Sequence, residues 1–434
     1  MVPIHVRADY LHLAINLGIL ALCVAPLGGH LSRVFRGEPT FLTPLMSWFE
    51  NRIYAWAGVD ARTDMPWKTY ALSTVLFSGL GFVALYLLLI FQAALPDTGH
   101  SVQGFSPGLA FNTSAGFVTN AGQPLQSEAG ALSPLSRMAG LTVQNFLSAA
   151  VSLSVFIAVT RGIARTTPGT IGNFWVDVVR SLLYVLLPLS LAYALLLATA
   201  GVGDAIEAYA VKNLLHPAAT AGDFQTIATL ETLKLTVTTE GSFINANNAH
   251  LTNVSTPLAQ LLDWLSRWLL PSALCWTFGN MTGAKRHTYL LMAGAATLLA
   301  ISAAASGWLE TAPPISLFGL MDGNGIVLYC LIATLIATVV IRKGLFGQAA
   351  SFLDHRLSLF DITMAATALL VPTIIVTGLL LIRDLNIQAG PLPSLADPIG
   401  GLGTLISRFW IMIPALAIAG SFATTTAPFS KGVK

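Results

Sequence analysis

Two short stretches carry the residue types that could do chemistry. The first is FNTSAGFVTN at 111–120, with two Asn, two Thr, a Ser and a Gly and no charge; the second is TTEGSFINANN at 238–248. Thr113, Gly116, Asn120 and Ala121 recur as Thr238, Gly241, Asn245 and Ala246, at a constant offset, so one nine-residue pattern occurs twice. An extended, Gly-containing strand turns its carbonyls to one side, and a ring of such carbonyls replaces the hydration shell of a potassium ion. Thr adds hydroxyl oxygens, and Asn braces the strand from behind. The expected cation-filter strands are therefore Gly116, Phe117, Val118, Thr119 and Asn120 in the first stretch, and Thr238, Thr239, Glu240, Gly241 and Ser242 in the second. The alternative is a pair of ordinary Gly/Asn-rich turns.

Four charged positions bear on the choice. Glu240 precedes Gly241 and either faces a cation path or sits in a solvated vestibule. Lys234 either acts on ions or a partner, or snorkels to the interface. Arg408 falls inside a long apolar run, where a charge is costly unless paired or near water. Asp177 precedes Arg180 by three residues, a spacing that suggests a pair within one helix. Asn245 and Asn247 complete the second stretch. HExxH, Walker A and GxSxG patterns are absent, so neither ATP hydrolysis nor intramembrane proteolysis is expected of this chain, and no organic cofactor or nucleic-acid partner is indicated. The three cysteines, Cys23, Cys275 and Cys330, lie singly in apolar runs and read as small hydrophobes.

The elements that must position these residues are membrane spans. The chain has 434 residues, 54% of them hydrophobic and only 10% charged, with a mean hydropathy of +0.71. Soluble domains carry about 25% charged residues. A bilayer core about 30 Å thick needs about 20 apolar residues per helix. Nine such runs are expected, at 10–28, 69–94, 138–160, 176–201, 257–280, 288–308, 323–342, 362–383 and 402–424. With the N-terminus outside, the inner loops hold fourteen Lys and Arg and the outer loops five, so the orientation is N-out, C-in.

The two chemical stretches sit in the two long outer loops, 95–137 and 202–256. Each loop holds an apolar segment too short to cross the membrane, followed by the polar stretch. That reads as a re-entrant unit, a half-length helix with an extended return. The outer loops at 309–322 and 384–401 lack such a segment, and fourteen residues, as in 309–322, can hardly hold a half-helix and a return strand. The expected fold class is thus an all-α polytopic membrane protein of helix–pore loop–helix repeats. Its parts are an N-terminal helix and inner loop (1–68), two repeats with pore loops (69–165 and 166–287) and two without (288–361 and 362–434).

Longer stretches now carry a family resemblance. MAGLTVQNFLSAA (138–150), GNFWVDVVR (172–180), FINANNAH (243–250), PSALCWTFG (271–279) and RFWIMIPALAIAGS (408–421) resemble the potassium-binding A subunit of the Kdp-type potassium-transporting P-type ATPase of bacteria. The resemblance implies a non-catalytic, multi-pass subunit of the bacterial inner membrane. It implies that the subunit binds K+ outside and passes it on in complex with an ATP-hydrolysing B subunit and small C and F subunits. It also implies four pore loops around one filter. Here the second strand reads TTEGSF where the family is Gly-rich, so Glu240 replaces a Gly, and Lys234 coincides with a Lys of the family's second pore helix. The third and fourth pore loops have no counterpart. A non-conducting scaffold that keeps the family's contacts is the alternative the residues leave open.

Overall fold

The computed structural model describes residues 4–94, 104–120, 132–133, 136–164, 169–199, 257–283, 289, 363–364, 367, 375, 378–379 and 393–424. Every regular element among them is helical. In chain order they are α1 (Ile4–Arg36), α2 (Thr43–Ala57), α3 (Trp67–Ile90), α4 (Pro107–Thr119), α5 (Val143–Ala164), α6 (Phe174–Arg180), α7 (Leu187–Thr199), α8 (Pro257–Thr282) and α9 (Pro393–Thr424). A wide π-type turn at Ser136–Thr142 leads into α5, and another at Ser181–Leu186 joins α6 to α7.

Five helices among the described residues are long and apolar enough to cross a membrane: Ile15–Arg36, Trp67–Ile90, Ala139–Ala164, Phe174–Tyr193 and Pro398–Thr424. They fall on the expected first, second, third, fourth and ninth runs. The fifth run is α8, a helix of 26 residues whose Asp263 and Arg267 lower its hydropathy. The sixth and seventh runs lie outside the described residues, and the eighth contributes only six helical positions.

α5 forms the centre. Val155, Phe156, Ile157, Ala158 and Val159 are all buried, and the helix packs against α3, α6, α8 and α9. Gly162 lets α9 come close, since a Cβ there would meet the Ala419 carbonyl oxygen at 2.6 Å. α1 lies along α8, with the Thr277 hydroxyl bonded to the Gly28 carbonyl at 3.2 Å. The outer faces are aliphatic, as in Leu22, Leu80 and Leu195. Exposed leucine along an apolar helix suits lipid, which covers such surface without cost.

The helix ends sort onto two faces. On one, Arg161 near the end of α5 donates to the Phe35 carbonyl of α1 at 2.8 Å, and Arg36 donates to the Asn280 carbonyl of α8. Before α3 and α6 the Ile171 N–H donates to the Met65 carbonyl and the Met65 N–H to the Gly172 carbonyl, and Gly169 N–H donates to the Ala423 carbonyl of α9. On the other face, the Phe105 N–H reaches the Leu89 carbonyl at the end of α3.

Candidate ion-binding site

The first chemical stretch belongs to α4. Ser106 caps the helix start, its hydroxyl accepting from Leu109 N–H, with Pro107 in the first turn, where a missing N–H costs nothing. The start is tied to the end of α3 through Phe105. Thirteen residues at about 1.5 Å each make a rod of roughly 20 Å, about two thirds of the roughly 30 Å that a crossing needs. The far end of α4 meets α5 and α9 in mid-span, through Arg408. α4 is therefore a short helix that enters from one face and stops inside the protein, as the length of the apolar segment predicts.

Its conformation corrects one expectation. Gly116, Phe117, Val118 and Thr119 are the last turn of α4 rather than an extended strand, and Asn120 is its left-handed cap at φ 57°. The Asn120 N–H donates to the Gly116 and Phe117 carbonyls, and the Thr119 hydroxyl donates to the Ala115 carbonyl at 2.7 Å. These bonds close the helix end on itself. A Gly within a run that is capped at both ends stays helical when neighbouring helices enclose it, because tertiary packing overrides its weak propensity. Residues 121–131, which follow the cap, lie outside the described residues, as do Lys234, Thr238, Thr239, Glu240, Gly241, Ser242, Asn245 and Asn247.

Arg408 of α9 sits at this helix end. Its guanidinium donates to the Thr119 carbonyl, to the Ser148 carbonyl at 2.7 Å and to the Ser152 hydroxyl at 2.8 Å. The charged pairs among the described residues are Arg36–Glu38, Arg161–Asp177 and Arg180–Glu50, and Arg408 belongs to none of them. The charge is held instead by carbonyls and a hydroxyl. A helix C-terminus carries roughly half a negative charge and orphan carbonyls, so a cation placed there is stabilised.

Several buried oxygens around α4 have no hydrogen-bond partner: Asn112 Oδ1, Ser114 Oγ and Asn120 Oδ1 on α4 and its cap, with Thr142 Oγ1 and Asn145 Oδ1 where α5 begins. Burying such an atom unpaired costs about 1–3 kcal/mol. Neutral amide and hydroxyl oxygens are also the ligand type that suits a hard cation.

Two charged clusters on the opposite face escaped the sequence reading. Asp177 does not pair with Arg180. It takes a two-pronged contact from Arg161, at 2.6 and 2.8 Å, with the Tyr70 hydroxyl 3.1 Å from Oδ2. Arg180 instead donates to Glu50 of α2 at 3.0 Å, and the Tyr184 and Tyr54 hydroxyls donate to the same carboxylate at 2.7 and 2.8 Å. Burial pushes the Glu50 carboxyl up, but the bonds from Tyr184, Arg180 and Tyr54 outweigh it and hold the group below its ordinary range. Burial and the adjacent Glu50 carboxylate push the Tyr54 hydroxyl well above its ordinary value. The signal available in sequence was the need of each intramembrane charge for an opposite one; the spacing within α6 pointed to the wrong partner.

Comparison with known proteins agrees with this architecture. Residues 14–319 match the family described as the potassium-transporting ATPase A subunit. The chain is similar to the potassium-transporting ATPase potassium-binding subunit of Methylobacterium nodulans, at 39% identity over 70% of this chain and 54% of that protein. The protein of the same name from Methylobacterium radiotolerans is 38% identical over 73% of this chain and 56% of its own length. These matches span about half of each relative's length. The protein of that name from Herpetosiphon aurantiacus aligns over 95% of this chain and 90% of its own, at 30% identity. That alignment runs over 525 positions, more than the chain has residues, so stretches of the relative have no counterpart here.

Proposed function

We propose that this chain, which belongs to the family of the potassium-transporting ATPase A subunit, binds K+ on the outer side of a bacterial inner membrane and passes it inward. It does so as the non-catalytic, channel-like part of an ATP-driven uptake complex with the B, C and F subunits. The observation that carries the reading is α4. A short helix that stops in mid-span, its end held by Arg408 and its flank supplied with unpaired buried oxygens, is the local form a re-entrant ion site takes. In this reading the chain has nine spans, N-out and C-in, with pore loops in the first two repeats only. In this reading Gly116–Asn120 and Thr238–Ser242 flank the ion, with Lys234, Asn245 and Asn247 supporting the second segment.

The test is potassium-limited growth of a bacterial host that lacks its own A subunit. Rescue is expected when the chain is inserted and co-purifies with the B subunit; assembly without rescue overturns the transport reading. Glu240→Gln gives a second, local test. If Glu240 contacts the ion, the substitution shifts the potassium dependence of the coupled ATPase, and an unchanged dependence places Glu240 in the vestibule.

A second reading is a non-conducting scaffold that retains the family's subunit contacts. The lack of a third and fourth pore-loop segment in the sequence favours it, because two re-entrant units supply only part of a four-sided filter. B-subunit assembly without potassium-stimulated ATPase selects the scaffold.

A further inference from the structure

α2 is built inside out for a helix in water. One polar flank points inward, while Asn51 and Arg52 stay exposed: the Glu50 carboxylate is bonded to Arg180 and Tyr184, and Tyr54 is buried against it. Its apolar groups point outward. Leu45, Trp48 or Phe49, Ile53 and Trp56 follow one another at steps of three to five residues, so they form one stripe opposite Glu50 and Tyr54. Leu45 is 62% exposed and Trp56 89%. A soluble surface helix turns such a stripe to the core.

Three further observations say what covers it. α2 is tethered between two candidate membrane spans, by residues 37–42 after α1 and 58–66 before α3. Neither tether is long enough to carry it far from the membrane surface. The stripe is also not purely apolar. Arg52 lies within it, its guanidinium 5.4 Å above the Trp48 ring, and Lys68 stands 5.9 Å over Trp67 at the mouth of α3. Finally, the exposed charge around α2 is mainly positive. Arg33, Arg52, Arg62 and Lys68 face solvent, Glu38 is engaged by Arg36, and the remaining exposed acids are Asp60 and Asp64. A tryptophan ring with a cation above it on a helix with an outward apolar stripe, and a second such pair at the start of α3, match the headgroup boundary of an anionic leaflet.

We propose that α2 is an interfacial helix that lays its Leu45–Trp48–Trp56 stripe into the headgroup–acyl boundary of an anionic lipid leaflet, with Arg52 on the lipid phosphates. Glu50 then acts as the internal latch that turns the stripe outward. The bilayer covers a face that a soluble protein would have to bury, and Arg180 transmits the position of α2 to the fourth span. This proposal stands independently of ion conduction.

The test uses the full chain in nanodiscs of phosphatidylcholine, with and without phosphatidylglycerol. Cys23, Cys275 and Cys330 are replaced so that one environment-sensitive label can be placed at Leu45→Cys, or at Ala61→Cys in the exposed loop beyond α2. Trp56→Cys serves as a second reporter if the first variant folds poorly. Brominated lipid should quench most of the emission at 45 and little at 61, and iodide should do the reverse. Phosphatidylglycerol should deepen the protection at 45, and Arg52→Gln should abolish that deepening. Iodide reaching 45 as freely as 61 overturns the proposal. Equal protection in both lipid mixtures overturns the anionic preference. Protection that arises only on adding the ATP-hydrolysing subunit makes the stripe a protein-docking face instead.

Discussion

The pairing of Asp177 with Arg161, rather than with its helix neighbour Arg180, makes a sharp energetic prediction. Asp177 is 1% exposed and Arg161 13%, so removing one charge leaves the other buried and uncompensated. Asp177→Asn keeps the shape and removes the charge; it should cost about 3–5 kcal/mol, the range for a broken buried pair. Arg161→Met with Asp177→Leu removes both charges, and the double variant should recover much of that loss, for a coupling of roughly 2 kcal/mol or more. The 177/180 cycle should show under about 0.5 kcal/mol, as for residues with no shared contact. The assay is unfolding in mixed micelles, followed by tryptophan fluorescence, for both cycles. A 177/180 coupling larger than the 161/177 coupling would refute the reasoning, as would a cost below about 1 kcal/mol for Asp177→Asn.

Three other outcomes are expected. Arg408→Gln removes the cation from the end of α4 and should raise amide hydrogen exchange first at 113–120, with an overall loss of about 1–3 kcal/mol; exchange mass spectrometry measures it. Gly162→Val places a Cβ against the Ala419 backbone, which cannot yield as a side chain would, so it should lower the melting temperature by separating α5 from α9, at about 1–3 kcal/mol. The Glu50 latch has a pH signature. Its folded pKa lies below the ordinary 4.5, so the stabilisation is complete above that value and is lost as pH falls through the folded one. Stability should therefore drop below about pH 4.5, and Tyr184→Phe should shrink that drop; acid titration of the melting temperature in both proteins checks it.

What was legible in sequence was what depends on length and hydropathy. A segment too short to cross, set in a long loop between two spans, announced α4 as a short helix that stops inside the protein, and the described spans fall where the apolar runs lie. What depends on which atoms meet was not legible. Arg408 visibly needed a partner, but its partners are carbonyls of α4 and α5, and a carbonyl has no sequence signature. Asp177 had a cation at helical spacing and took a different one: Arg161 offers it two parallel N–H donors, while Arg180 is held by Glu50. α2 was absorbed into the first inner loop, since a stripe of Leu and Trp reads as core until the structure shows its polar face turned inward.

The conformation of 116–120 changes what this stretch can offer an ion. As a strand it would present a row of backbone carbonyls. As a capped helix end it has committed the Gly116 and Phe117 carbonyls to the Asn120 N–H and the Thr119 carbonyl to Arg408. Its buried side-chain oxygens without a partner are Asn112 Oδ1, Ser114 Oγ and Asn120 Oδ1. Asn120 alone among these stands at the mid-span end of α4, next to the residue that Arg408 grips. A cation arriving there would meet an amide oxygen with a guanidinium close behind it, so Arg408 and the ion would compete for the same helix terminus. Neutralising Arg408 should therefore tighten, not weaken, the hold of that terminus on a cation, even as it loosens the helix itself.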